Sequence, residues 1–184
     1  RIPQHIGIML DGNRRWARAV GAESAEGYRA GADNIAPFLG WCDEVGVKVV
    51  TLWLLSTDNL TGRSGAELDA LQDIIGSLAT KLSESSDYRL QLVGDREALP
   101  DGLLGALVKA ESRTRNNKGL HVNLAVAYGG RDGRDRRGRG RRLVVDWKGE
   151  GEDGARPGDE PIGRAKLANL ADFERRPRLR LRVF

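Results

Sequence analysis

IGIMLDGNRRWARAV, residues 6–20, sets a short apolar run against a polar turn and a basic helical segment. The run IGIML has the length of a buried strand. Asp11-Gly12-Asn13 is a turn signal, and RRWARAV predicts a short helix. Working outward, Gly21 to Gly27 reads as a loop, and apolar positions then recur at helical spacing from Tyr28 to about Val45, where Gly46 ends the helix. KVVTLWLL at 48–55 is β-rich and nearly all apolar, the pattern of a strand covered on both faces. STDNLTGRSG at 56–65 reads as a long polar loop, and residues 66–82 carry a helical apolar stripe. RLQLVGD at 89–95 predicts a strand, GLLGALVKAESRTRN at 102–116 a helix, and a fourth strand ends near Ala127. Strands alternating with helices predict an α/β fold, a central parallel β-sheet built from right-handed βαβ units and flanked by helices.

The 184 residues carry 30 Lys+Arg against 26 Asp+Glu, a formal charge of +4. Cut after Gly130, the balance separates. Residues 1–130 hold 14 basic and 16 acidic side chains, net −2, and residues 131–184 hold 16 and 10, net +6. The basic character belongs to the tail, so it describes the tail and not the predicted fold. Residues 1–130 suffice for one domain with its own core. The tail mixes RDGRDRRGRGRR with KGEGEDGARPGDEP, a composition typical of disorder. FERRPRLRLRVF alternates basic and apolar residues without an evident partner, and only Arg142–Trp147 and Ala165–Phe173 read as order-capable fragments. One cysteine excludes an internal disulfide framework and a thiolate zinc cluster, and two histidines argue against a histidine-rich metal site. No apolar run approaches the roughly 20 residues of a membrane helix. The N-terminus has no signal-peptide stretch. A cytoplasmic protein with at most peripheral membrane contact is the expectation.

In a parallel α/β sheet, ligands bind outside the carboxyl ends of the strands. The first strand ends in DGNRRW, the second in STDNL and the fourth in YGGR, so three polar loops are expected on one rim. In DGNRRW, Gly12 lets a ligand approach the backbone. Asn13 can cap the helix and donate to a phosphate, while Arg14, Arg15 and Arg18 offer guanidinium donors matched to phosphate. Asp11 among those cations is most simply a Mg²⁺ ligand, since Mg²⁺ bridges carboxylate and phosphate oxygens. The alternative is a capped helix with a solvated basic face. STDNL reads either as part of the same site or as an ordinary polar turn capped by Asp58 or Asn59. Arg63 and Glu67 follow within reach of that rim. Trp16 and Tyr28 read first as packing residues, His121 as a core or surface histidine, and Cys42 as core.

HIGIMLDGNRRWAR resembles the opening signature of the cis-prenyltransferases, the undecaprenyl diphosphate synthase family. The resemblance continues through GYRAGADNI, WCDEVGVKVVTLWLLSTDNL, LVGD and NLAVAYGGR. It covers residues 3 to about 131, and its details are most similar to actinobacterial short-chain members that make a Z,E-farnesyl-type diphosphate. It implies Mg²⁺-dependent condensation of isopentenyl diphosphate with an allylic diphosphate, geranyl or farnesyl, creating a cis double bond. By position, Asp11 would be catalytic and hold Mg²⁺. Gly12, Asn13, Arg14 and Arg15 would cradle the allylic diphosphate beside Trp16. Tyr28, Ser56, Thr57, Asp58 and Arg63 would line the pocket, and Asn59 falls where the family places a residue linked to proton removal. Leu54 aligns with a tunnel position where bulk shortens the product, which implies a short chain.

Ser24 and Tyr28 stand where many members carry Arg and His. The family's C-terminal motif for isopentenyl diphosphate, a later Mg²⁺-binding Glu and much of its homodimer interface have no counterpart after Gly130. The expected organisation is therefore a cis-prenyltransferase-like domain over 1–130 and an atypical basic tail over 131–184. Asp135-Arg136-Arg137-Gly138 is what a shifted reading frame of a GC-rich family gene would encode. Impaired turnover follows as an expectation. Two other readings are a non-catalytic partner subunit, which would have no need of Asp11 and Asn59, and an anionic-surface or RNA-binding module. The tail lacks the interleaved aromatics of a single-strand binder, so no nucleic-acid partner is expected.

Overall fold

The computed structural model describes residues 2–63, 65–129 and 180–182. Four parallel strands form the sheet: β1 (His5–Met9), β2 (Val49–Ser56), β3 (Tyr88–Val93) and β4 (Leu120–Tyr128). Parallel neighbours need crossovers. α1 (Asn13–Ala19), α2 (Ser24–Asp33) and α3 (Ile35–Glu44) connect β1 to β2. α4 (Thr57–Gly62) and α5 (Gly65–Ser83) connect β2 to β3, and α6 (Asp101–Thr114) connects β3 to β4. The strand order is β3-β4-β2-β1-β5, where β5 (Arg180–Arg182) lies antiparallel against β1. The α/β fold expected from the alternation is the fold found. The expected absence of a partner for the last tail segment is corrected at β5. The rest of the tail reading, including Arg142–Trp147 and Ala165–Phe173, lies outside the described residues.

The parallel register aligns apolar side chains in rows across the sheet. Ile8 faces Leu52, Leu52 faces Leu124, and Leu124 faces Leu92; Ile6, Val50, Val122 and Leu90 make a second row. All eight are buried, and they join Phe38, Leu39, Leu78 and Leu107 of the helices in one core. Burial in β2 alternates, contrary to the two-sided cover its apolar run predicts. Val50, Leu52 and Leu55 are buried, whereas Val49, Thr51 and Trp53 are only half-buried among the described residues. That second face carries a polar ladder: His5 Nε2 lies 2.8 Å from Thr51 Oγ1, and Asn123 Nδ2 donates to the same hydroxyl at 3.1 Å. His121 pairs with Gln91 at 3.0 Å, which makes it a satisfied sheet residue.

Three local expectations change. The segment from Tyr28 to Val45 is two helices, because Pro37 has no N–H to give Asp33 and its ring would strike that carbonyl. The chain breaks at Asn34, and α3 restarts with Phe38 N–H on the Asn34 carbonyl at 3.2 Å. The loop expected through Gly27 ends earlier, since α2 begins at Ser24. The polar stretch after β2 is helical: the Ser56 hydroxyl accepts the Asn59 N–H at 3.2 Å, so Ser56 caps α4 rather than Asp58 or Asn59.

The edge strand β3 is closed by side chains. Leu90 N–H donates to Thr114 Oγ1 at 3.0 Å, and Leu92 N–H donates to Glu111 Oε1 at 3.2 Å. Two edge donors that could template another chain are thereby taken by α6.

Candidate active site

The carboxyl ends of β1, β2 and β4 open on one rim, as the parallel register requires. At the end of β1 the chain turns through Gly12, which adopts φ +93°, a region costly for other residues. Asp11 Oδ1 accepts the Gly12 N–H at 2.6 Å, and its Oδ2 lies 3.5 Å from Arg15 Nη2. Both side chains remain solvent-facing, Asp11 at 55% and Arg15 at 60% exposure. Such an exposed pair adds little stability by itself. Its carboxylate and guanidinium are accessible to a ligand.

Asn13 departs from its expected role. Gly12 is the N-cap, and no side chain caps α1. The Asn13 side chain instead turns inward and is 6% exposed. Its Nδ2 donates to the Leu10 carbonyl at 3.4 Å, and its Oδ1 is buried without a hydrogen-bond partner. Two glycines of α2 make this possible. A Cβ on Gly27 would lie 2.4 Å from the Asn13 carbonyl oxygen, and one on Gly31 would lie 2.7 Å from Asn13 Oδ1. The stretch GYRAGA contains the signal, glycines four residues apart on one helix face. Their partner across the chain was not predictable from spacing.

A second cluster forms where α2, α4 and α5 meet. Arg63 Nη1 donates to Glu67 Oε1 at 3.0 Å and to the Tyr28 hydroxyl, and Nη2 donates to Asn59 Oδ1 at 3.4 Å. The Tyr28 hydroxyl donates in turn to Glu67 Oε1. The Arg63 guanidinium also sits 5.2 Å from the centre of the Tyr28 ring, within cation–π range. Arg63 and Glu67 are 14% and 21% exposed, so this network is far less screened than the Asp11–Arg15 pair. Tyr28 therefore both packs and bonds, which its reading as a packing residue only half anticipates. Glu67, noted in the sequence only for its nearness, accepts from both Tyr28 and Arg63.

The Tyr28 hydrogen bond is the main cause that holds the Glu67 carboxyl below its ordinary pKa of 4.5; burial opposes it, and Arg63 and Arg14 add to the lowering. Burial is the main cause that pushes the Tyr28 phenol above 10.0. A carboxylate with a depressed folded pKa stabilises the fold fully above its unfolded value, and that stabilisation is lost as pH falls through the folded pKa. Glu67→Gln is therefore expected to flatten part of the acid limb of stability. Urea midpoints compared at about pH 7 and about pH 3 check this: the wild-type midpoint should fall more than the variant's.

The two clusters meet at a cavity of about 40 Å³. Leu54 of β2 and Leu71, Ile75 and Leu78 of α5 supply apolar wall, and the polar residues lining it are Asn13, Tyr28 and Arg63. Leu54 thus lines an apolar space next to the polar rim. Of the other expected residues, Ser56 is taken up by its cap and Thr57 Oγ1 donates to the Tyr128 carbonyl at 3.5 Å. Asp58 is exposed, yet close enough to Tyr128 to add to the burial that raises that phenol's pKa. Trp16 lies half-buried on α1. Cys42 is buried and its thiol is pushed up to about 12, chiefly by burial, so it is an inert core residue. Among the described residues no group of three or more His, Cys, Asp or Glu side chains converges to hold a metal. No described helix is long and apolar enough to cross a membrane.

Known proteins resemble this chain in sequence and fold. The undecaprenyl diphosphate synthase (prenyltransferase) family profile matches residues 8–134. Isoprenyl transferase 1 of Streptomyces avermitilis is 49% identical over 131 residues, which is 71% of this chain and 51% of that protein. The (2Z,6E)-farnesyl diphosphate synthase of Thermobifida fusca is 50% identical over 130 residues, 70% of this chain and 50% of that one. The chain thus spans about half the length of the curated relatives it matches. The crystal structure of lavandulyl diphosphate synthase from Lavandula x intermedia, in complex with dimethylallyl diphosphate, superposes with a TM-score of 0.67 at 37% identity, over 71% of this chain and 57% of that one. The rim, the strand register and this likeness over two thirds of the residues carry one conclusion: the chain belongs to the undecaprenyl diphosphate synthase family of prenyltransferases.

Proposed function

We propose that this protein condenses isopentenyl diphosphate with an allylic diphosphate, geranyl or farnesyl, to give a short-chain cis-prenyl diphosphate. The carrying observation is the junction of two environments: an exposed Asp11–Arg15 turn and an apolar cavity, joined by Asn13, Tyr28 and Arg63. An amphiphile with a doubly anionic head and a hydrocarbon tail is the ligand whose chemistry matches both. In the reaction the allylic C–O bond to diphosphate breaks. The alkene electrons of isopentenyl diphosphate form the new C–C bond, and a proton leaves the adjacent carbon to restore a double bond.

The helix after Gly12 has only seven residues, so its dipole is weak and the guanidinium groups must supply most of the head-group affinity. Arg14 and Arg15, with the Gly12 backbone, would bind the allylic diphosphate. Asn13 would hold that turn from inside, and Trp16 would flank it. Arg63 would serve the same rim with its charge balanced by Glu67, while Asn59, Ser56, Thr57 and Asp58 would orient isopentenyl diphosphate for proton loss. An exposed Asp11 carboxylate, with no converging acidic cluster among the described residues, fits a Mg²⁺ ion shared with substrate oxygens better than one caged by protein. When bound at Asp11, Mg²⁺ would neutralise charge developing on the leaving diphosphate. Leu54 would limit the tail. Residues 1–130 would be the catalytic unit, the setting cytoplasmic with at most peripheral membrane contact, and the assembly a homodimer.

Radiolabelled isopentenyl diphosphate with geranyl or farnesyl diphosphate and Mg²⁺ tests this. Label should enter a short-chain cis product and should not do so when Mg²⁺ is chelated. No incorporation together with no measurable binding of dimethylallyl diphosphate would sink the reading.

A further inference from the structure

Two buried polar atoms of complementary kind belong to side chains that line one cavity. Asn13 Oδ1 is an acceptor and Arg63 Nε a donor, and neither has a hydrogen-bond partner within the protein. Both residues line the cavity of about 40 Å³ beside the rim. The Asn13 amide has a fixed sense. Its Nδ2 donates to the Leu10 carbonyl at 3.4 Å, which an oxygen in that place could not do, so Oδ1 is the atom left over. Gly31 stands against it with no side chain to donate, since a Cβ there would lie 2.7 Å away. Arg63 is held by its other nitrogens. Nη1 serves Glu67 and Tyr28, and Nη2 serves Asn59, which leaves the Nε hydrogen. The Tyr28 hydroxyl, the third polar group of the wall, already donates to Glu67 and accepts from Arg63. Buried polar groups are nearly always met by protein or by ordered water, because an unmet one forfeits the bond it makes in solvent.

A group that meets both atoms must accept one hydrogen and donate another within a small space. Water does this. It needs roughly 10–15 Å³ of cavity and at least two polar partners, and the cavity offers both. We infer that this cavity is a hydration site, holding an ordered water that donates to Asn13 Oδ1 and accepts from Arg63 Nε. The water joins the first residue of α1 to the Arg63 cluster. The turn that carries Asp11 is thereby braced from behind, through Arg63, against Asn59 and Glu67. The water site is independent of the allylic-diphosphate reading.

Nuclear magnetic resonance of the isotope-labelled 184-residue chain, without substrate, tests this. Water-selective Overhauser spectra should show a long-lived water beside both the Arg63 Nε–H and the Asn13 amide hydrogens. Asn13→Leu, close in size and without the acceptor, should lose the water signal at Arg63 while circular dichroism stays native. Absence of that signal in the wild type would overturn the inference, whether the Arg63 Nε–H exchanges freely with solvent or bonds Asn13 directly. A water signal that persists at Arg63 in folded Asn13→Leu protein would overturn the bridge as well. The wild-type spectrum decides alone if that variant fails to fold.

Discussion

Asp11→Ala should leave the protein folded and lower prenyl transfer by about 10³-fold, the scale on which removing one electrostatic stabiliser of a developing anion acts. The structural side of this expectation follows from exposure. Asp11 is 55% exposed, and its partners are one neighbouring N–H and an Arg15 that is itself 60% exposed. Losing those contacts should change the denaturant midpoint little, because surface pairs contribute about 0–1 kcal/mol. The catalytic side follows from the reaction proposed. The bond to diphosphate breaks toward a leaving group that gains charge, and Asp11 is the carboxylate next to its expected cradle. Asp11→Asn keeps the size and an acceptor for the Gly12 N–H but removes the charge needed to hold Mg²⁺. It should lose nearly as much turnover as the alanine variant and shift the Mg²⁺ concentration needed for half-maximal rate upward. Single-turnover rates across a Mg²⁺ titration, beside urea denaturation, separate the two effects. Turnover within tenfold of wild type in both variants would remove Asp11 from the chemistry.

How far the sequence reaches can be seen residue by residue. The four parallel strands were legible because β1 and β2 are short runs of mostly apolar residues and β3 and β4 set apolar residues at alternate positions, and the rim followed from their common direction. The contacts of Asp11 with Gly12 and Arg15 were legible because the three lie within five consecutive positions. The cluster of Tyr28, Asn59, Arg63 and Glu67 was only half legible. Asn59 lies on α4, whose polar composition hid it, and Glu67 lies in the first turn of a separate helix, after Arg63 leaves helical conformation. The grip on Tyr28 spans 35 and 39 residues, a separation that no local pattern reports. The break at Pro37 shows a different limit. Apolar periodicity runs through it undisturbed, and the interruption depends on one missing N–H and one ring clash.

Gly27→Ala should be damaging although it lies outside the rim. Alanine is the better helix former, by about 1 kcal/mol in an exposed helix, so propensity alone predicts a gain at this position in α2. Packing reverses the sign. The new methyl would meet the Asn13 carbonyl oxygen at 2.4 Å and the Ala17 Cβ at 3.1 Å, and the first of these is backbone that cannot rotate away. Relief requires α1 to move off α2. Overpacking of this kind costs about 1–3 kcal/mol. Because α1 carries Arg14 and Arg15, the shift also carries the proposed head-group site with it, and a displacement near 1 Å can cost about 10²-fold in rate. Gly40→Ala is the matched control: it lies in α3, with nothing within 4 Å of its added Cβ, and should be neutral or stabilising by up to about 1 kcal/mol. Thermal midpoints and turnover measured for the pair decide the matter. Stability and rate lost together at Gly27, with neither lost at Gly40, mean that the glycine is there to seat Asn13. Equal behaviour of the two variants would mean that the rim does not depend on the α1–α2 contact.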